Sequence, residues 1–131
     1  MNSRKTAREA VSTLLATIST FQAVYDRQTP DFGGLSPVAM VCSDGSRWGP
    51  GLALGQYQRE HALIIAILWK WQSTSEDDLD DLSEDVFDLI EANDETNDWG
   101  SLALDEQFSV LDYPIVDGVM YRREQIRVLI W

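Results

Sequence analysis

Apolar positions recur with different periods along the chain, and each period predicts an element. Over residues 3–20, Ala7, Val11, Leu14, Leu15 and Ile18 keep the spacing that lines one face of a helix. Ser3 or Thr6 can cap its start. Arg4, Lys5 and Arg8 crowd the same end, where the helix dipole favours negative charge, so an external acidic surface would offset them. A solvated basic terminus is the simpler account. Phe21–Tyr25 reads as a short strand, Thr29-Pro30-Asp31-Phe32-Gly33-Gly34 as a turn, and Val38–Cys42 as a second strand. Asp44-Gly45, followed by Gly49, Pro50, Gly51 and Gly55, predicts a long loop over 44–56 that carries Arg47 and Trp48.

Tyr57–Gln72 is apolar on both parities in its middle and polar toward its ends. That pattern fits a central strand covered on both faces, or a short buried helix; its β-branched and aromatic content favours the strand. Ser75, as N-cap with Asp78 three residues on, opens a helix over 76–92. Leu79, Leu82, Val86, Leu89 and Ile90 form its stripe, and Asp80, Asp81, Glu84, Asp85, Asp88 and Glu91 occupy its other faces. A loop follows at 93–100, then strand pieces at Gln107–Leu111 and Pro114–Val116, a turn at Asp117-Gly118 and a last strand at Tyr121–Trp131. Ile126, Val128 and Ile130 share one face of it. These elements predict a single α+β domain spanning 1–131. Its antiparallel-rich sheet has about five strands, two helices pack on one face, and a long loop follows the second strand.

Charge sharpens this picture. Between Trp71 and Tyr121 there is no Lys or Arg, yet sixteen of the 22 Asp and Glu lie there, and the net charge is −12. The rest of the chain is mildly basic. Such segregation suits repulsion of nucleic acid, attraction of a basic partner or head-to-tail self-association. At 131 residues with 44% hydrophobic content, the chain is expected to bury one core. A lone Cys42 forms no internal disulfide, and the N-terminus shows no apolar signal segment. The longest apolar run falls well short of the roughly 20 residues of a membrane helix, so no membrane partner is expected.

Catalytic chemistry finds few candidates. His61 is the single histidine, which excludes His-based triads and multi-His metal sites, and a structural role is expected of it. Cys42 reads as a small buried hydrophobe, with pairing to His61 as the reactive alternative. The glycines match neither dinucleotide nor P-loop spacing. Asp94-x-Thr96-x-Asp98 starts like a calcium loop but has Trp99 at the sixth position and Asp105 at the twelfth. The residues therefore predict no enzyme and no cofactor, and no basic patch predicts nucleic-acid binding.

The element order resembles a known family. A basic-tipped helix is followed by a short strand ending in Tyr25-Asp26, a Gly/Pro loop and a long apolar strand. Then come the acidic helix from Leu79 to Ile90, ending at Asn93, and a terminal strand where Tyr121 precedes Ile126, Val128 and Ile130. This is similar to the tail terminator, or tail-to-head joining, proteins of long-tailed bacteriophages. The resemblance covers nearly the whole chain and is one of size and pattern. It implies a structural virion protein, assembled in the host cytoplasm and placed at the head-proximal end of the tail. A ring, hexameric in the family, would cap the tail tube, stop its polymerisation and meet the neck or head-closure protein. DNA would pass through its lumen unbound. Within such a ring, Arg4, Lys5, Arg8, Arg122 and Arg123 are expected to meet Asp81, Glu84, Asp85 and Asp88 of a neighbour; the plainer account has all of them solvated. Phe32, Arg47 and Trp48 are the expected contacts with the tube protein or neck. Two other readings stand beside this one: another head-tail connector or tail-tube component, and an acidic inhibitor that mimics DNA.

Overall fold

A computed structural model describes residues 3–50, 57–94, 100–105 and 109–131, with backbone alone for 48–50, 57 and 58. In chain order the elements are α1 (Arg4–Leu15), β1 (Ala23–Tyr25), β2 (Val38–Pro50), β3 (Tyr57–Lys70) and α2 (Ser75–Ala92). They continue with β4 (Leu102–Leu104), β5 (Val110–Asp112), β6 (Ile115–Val116) and β7 (Val119–Ile130). The sheet runs β1-β2-β3-β7-β4, and β5 and β6 also pair with β7. Among the described residues only β1 and β2 pair parallel, and the other pairs are antiparallel. The expected α+β architecture with two helices holds, on a mixed sheet of seven strands rather than about five. The strand pieces expected at Gln107–Leu111 and Pro114–Val116 correspond to β5 and β6. The sequence did not mark β4, which is three residues long, too short to show a period, and pairs with β7.

The two parities of β3 now have separate partners. Leu63, Ile65 and Ile67 join Ala39 and Val41 of β2, Ile126, Val128 and Ile130 of β7, and the stripes of both helices in the main core. Ala66 and Leu68 face the other way, with Val38, Met40 and Tyr121, under Phe32. That second cluster is smaller, so much of this face stays open to solvent. Each fully buried Leu or Ile contributes about 1.5–3 kcal/mol, which fixes the helices to one side.

Local chemistry sets the ends. The Ser3 side chain accepts from the Thr6 amide at 3.1 Å and starts α1. The helix stops at Leu15 rather than running to 20, where the Thr17 hydroxyl donates to the Leu14 carbonyl and competes with helix continuation. The N-cap of α2 is Thr74 and not Ser75. The Thr74 hydroxyl donates to the Asp78 carboxylate at 2.8 Å, and Ser75 turns back to the Gln72 carbonyl. At the β6–β7 hairpin, Asp117 and Gly118 both take positive φ, as a two-residue primed turn requires.

The predicted loop at 44–56 is in large part strand. β2 pairs with β3 from Val38↔Leu68 out to Pro50↔Tyr57, with a bulge between Ser43 and Ser46. Two residues, Asp44 and Gly45, oppose one, and Gly45 takes φ +97. A glycine inside a strand accommodates such an insertion, and the extra residue swaps the parity of everything after it. Residues 51–56 at the hairpin tip lie outside the described residues. Since β7 ends opposite His61, the segments 47–50 and 57–60 continue as a two-stranded ribbon past the sheet. At about 3.4 Å per residue, four residues carry it roughly 14 Å beyond.

Candidate interaction surfaces

The apolar stripe of α2 faces the core, so its acids face water. Asp80, Asp81, Glu84, Asp85, Asp88 and Glu91 are all exposed, and none forms an ion pair among the described residues. Like charges one turn apart, such as Asp81 and Asp85, destabilise a helix by themselves. The packing of Leu79, Leu82, Val86 and Ile90 offsets that cost.

The basic residues divide into two groups. Arg4 and Lys5 are exposed at the start of α1 and form no ion pair among the described residues. Arg8 is half-buried and donates to the Ser43 hydroxyl at 3.1 Å, tying α1 to the bulged strand. Arg122 departs from expectation. It is only 6% exposed, donates to the Tyr113 hydroxyl at 2.9 Å and to Glu76 at 3.1 Å, and lies 5.3 Å from the Tyr113 ring centre. It braces α2 against the sheet. Arg123 emerges on the opposite face, held at 2.8 Å by Asp112, whose carboxylate raises the guanidinium pKa. Each is paired with an acid of its own subunit because β7 alternates faces between two acid-bearing elements.

The expected tube contacts also move. Phe32 is buried at 3% exposure, stacked on Tyr25 at 6.0 Å and edge-on to Tyr121 at 5.3 Å. It closes the second core instead of reaching out, because the 26–37 segment folds over that face. Arg47 lies on a strand, exposed, and its guanidinium stands 2.7 Å from Glu60. Trp48 is paired by backbone opposite Arg59 on the same ribbon; its side chain lies outside the described residues.

The bulge shapes the open face of the sheet. After it, Arg47 shares that face with Glu60, and Asp44 approaches Arg127 at 3.1 Å; Asp105 approaches the same guanidinium at 3.2 Å. These ionic groups rim a concavity of about 630 Å³ floored by Ala62 and Leu129. Signs alternate within it, so opposite charges largely compensate one another.

The same parity swap brings Ser46 to the helix side, 2.7 Å from His61 Nδ1. His61 is 3% exposed, and its Nε2 is buried without a partner. Burial, aided by the nearby Arg4 and Arg59 charges, lowers its pKa. Cys42 packs with the second core, on the other face, so the two do not form a reactive pair. Burial raises the Cys42 thiol pKa, which leaves it protonated.

One surface escaped the sequence reading. Trp71, Leu111, Tyr113, Ile115 and Met120 are 43–68% exposed. Ile115 pairs with Met120, Leu111 with Glu124, and Trp71 meets Tyr113 edge-on at 5.6 Å. All five belong to the helix side of the sheet, at a corner that neither helix covers. No periodic pattern marks them, since their exposure depends on where α2 begins.

Among the described residues no group of three or more His, Cys, Asp or Glu could hold a metal ion, and no helix is long and apolar enough to cross a membrane. Most of the calcium-like stretch, residues 95–99, lies outside the described residues. No protein-family model matches the chain, and no curated protein matches it.

Proposed function

We propose that the chain is a structural subunit of a phage tail: a terminator that forms a ring on the head-proximal end of the tail tube. The ring stops tube polymerisation and joins the tube to the neck, in the family's hexameric arrangement. The observation that carries this reading is the acidic face of α2, whose six exposed carboxylates find no cation partner among the described residues. Six copies at −12 each would bring −72 to one ring. A surface of that sign keeps DNA sliding rather than bound.

Two further observations support it. The subunit has different surfaces at opposite sheet edges, as a closed head-to-tail ring needs. The β2–β3 ribbon projects past the end of β7 and carries Arg47 and Trp48, which makes it available for a contact with the tube or neck. The role is one of assembly, and no residue is assigned to catalysis.

The test is assembly with purified tail tubes, followed by electron microscopy. Rings of five to seven subunits that cap tubes at one end and halt their growth are the expected result. Incorporation along the tube would instead assign the tail-tube role. A stable monomer that binds a nuclease tightly and ignores tubes would overturn the proposal in favour of the DNA mimic.

A further inference from the structure

The apolar corner left open by the helices needs an occupant. Soluble monomers seldom expose contiguous groups of large apolar side chains, and such patches mark interaction sites. Here Ile115 is 68% exposed, Tyr113 52% and Trp71 51%, side by side on one face. Two exposed acids lie nearby along the chain: Asp77 follows Glu76, which holds the Arg122 that contacts Tyr113, and Asp117 sits in the turn of the hairpin that carries Ile115 and Met120. Lys70 is the nearest exposed cation along the chain, and it belongs to the opposite face of β3. An isologous contact would place these acids against their own copies, which like-charge repulsion disfavours.

The start of α1 is the opposite case. Its first turn contains no acid, and Arg4 and Lys5 stand exposed and unpaired among the described residues, against the sense of the helix dipole. Beside them the outward face of α1 forms a shallow concavity of about 360 Å³ lined by Thr6, Glu9, Ala10, Thr13, Leu14 and Thr17. Apart from Glu9 its lining is small, apolar or uncharged. α1 packs on β1, β2 and β3, whereas the corner lies on the β5 and β6 side of β7, across the sheet.

The geometry points to a head-to-tail contact between copies: the Trp71, Tyr113, Ile115 and Met120 corner of one subunit docks on the outward face of α1 of the next. Asp77 and Asp117 then meet Arg4 and Lys5. This inference rests on the ring reading and deepens it by naming the two surfaces. It also replaces Arg122 and Arg123 as the cations of the contact, because both are already engaged within the subunit. The acidic face of α2 stays free for the lumen.

Disulfide trapping between single-cysteine variants tests it. In a Cys42→Ser background, the Ile115→Cys and Thr13→Cys chains are oxidised separately and as a mixture, in solution and on tail tubes. A dimer that forms many-fold more in the mixture than in either sample alone is the expected result. A dimer of the Ile115→Cys chain by itself would overturn the head-to-tail contact in favour of an isologous one. Rings that assemble without the mixed crosslink would overturn this contact and leave the terminator reading standing. Absence of self-association both in solution and on tubes would overturn both. As a second readout, Lys5→Glu should weaken association, and adding Asp77→Lys with Asp117→Lys should restore it. Circular dichroism checks that each exposed-site variant remains folded.

Discussion

The Ser83 hydroxyl donates a hydrogen bond of 2.8 Å to the Glu124 carboxylate, and both residues are buried. The bond joins the inner face of α2 to β7, on the side of the sheet that also buries Arg122 and His61. A buried carboxylate without a donor is costly, so the two groups depend on each other. Ser83→Ala should therefore destabilise the fold by about 1–3 kcal/mol, more than a lost exposed hydroxyl would. Urea denaturation of the wild type and the variant measures it. A change within about 0.5 kcal/mol, the range of surface substitutions, would mean that the bond does not hold α2 in place.

His61 should make stability fall as pH falls. Burial lowers its pKa from the usual 6.5, so the unfolded chain takes up the proton first. Above about 6.5 both states are neutral and the residue adds no pH dependence. As pH drops through 6.5 toward the lower folded value, protonation favours the unfolded state and stability is lost. Thermal melts of wild type and His61→Asn between pH 7.5 and 5 should show a slope that the variant lacks. Parallel slopes would remove His61 as the source.

Gly45 carries the bulge at φ +97, with open space where a side chain would stand. Any cost of Gly45→Ala therefore comes from backbone strain, about 1–2 kcal/mol, and not from a clash. A lower denaturation midpoint with an unchanged slope is the expected observation. If the strand responds by losing the bulge, Arg47 and Ser46 exchange faces, and the 2.7 Å contacts to Glu60 and His61 break together.

The acids on the outer face of α2 beyond its first turn should contribute nothing to folding. Replacing Asp81, Asp85 and Asp88 by Asn removes neighbouring like charges worth about 0.2–0.5 kcal/mol per pair, so the melting temperature should hold or rise at low salt. Assembled rings of the variant should retain DNA that wild-type rings release. A clear fall in melting temperature would show that these carboxylates brace the fold, and would weaken the lumen assignment.

Arg122 should behave as a core residue. It lies between Tyr113 and Glu76 at 6% exposure, so Arg122→Ala removes a packed side chain and leaves the Tyr113 hydroxyl without its donor. Glu76 is 70% exposed and stays solvated, so the loss comes from packing and the charge-assisted hydrogen bond and should lower stability by about 1.5–3 kcal/mol. Hydrogen exchange should show the N-terminal turn of α2 opening first. A variant of unchanged stability that fails to associate would instead return Arg122 to the interface.

How well the sequence foretold the structure depended on length and on period. The helix at 76–92, the central strand expected over 57–72 and found over 57–70, and the inward row of Ile126, Val128 and Ile130 were legible because long periodic segments reveal their buried faces. β4, β5 and β6 were hidden or blurred, for they have two or three residues and only β7 defines them. Phe32 looked exposed within a turn, and only the fold of that turn over Tyr121 buries it.

The sequence by itself determined where charge accumulates and which helix face carries it, because an amphipathic helix must turn its polar side to water. It also limited the chemistry, since a single histidine and a single cysteine rule out many sites by counting. The tertiary structure decided which charges remain free. Arg122 and Arg123 are consecutive and chemically alike, yet pleating sends one into the helix side and the other to the open face, each beside an acid distant in sequence. It decided the apolar corner too. Exposure of Ile115 or Trp71 is a property of what fails to cover them, and coverage arises only when α2 is docked across the sheet.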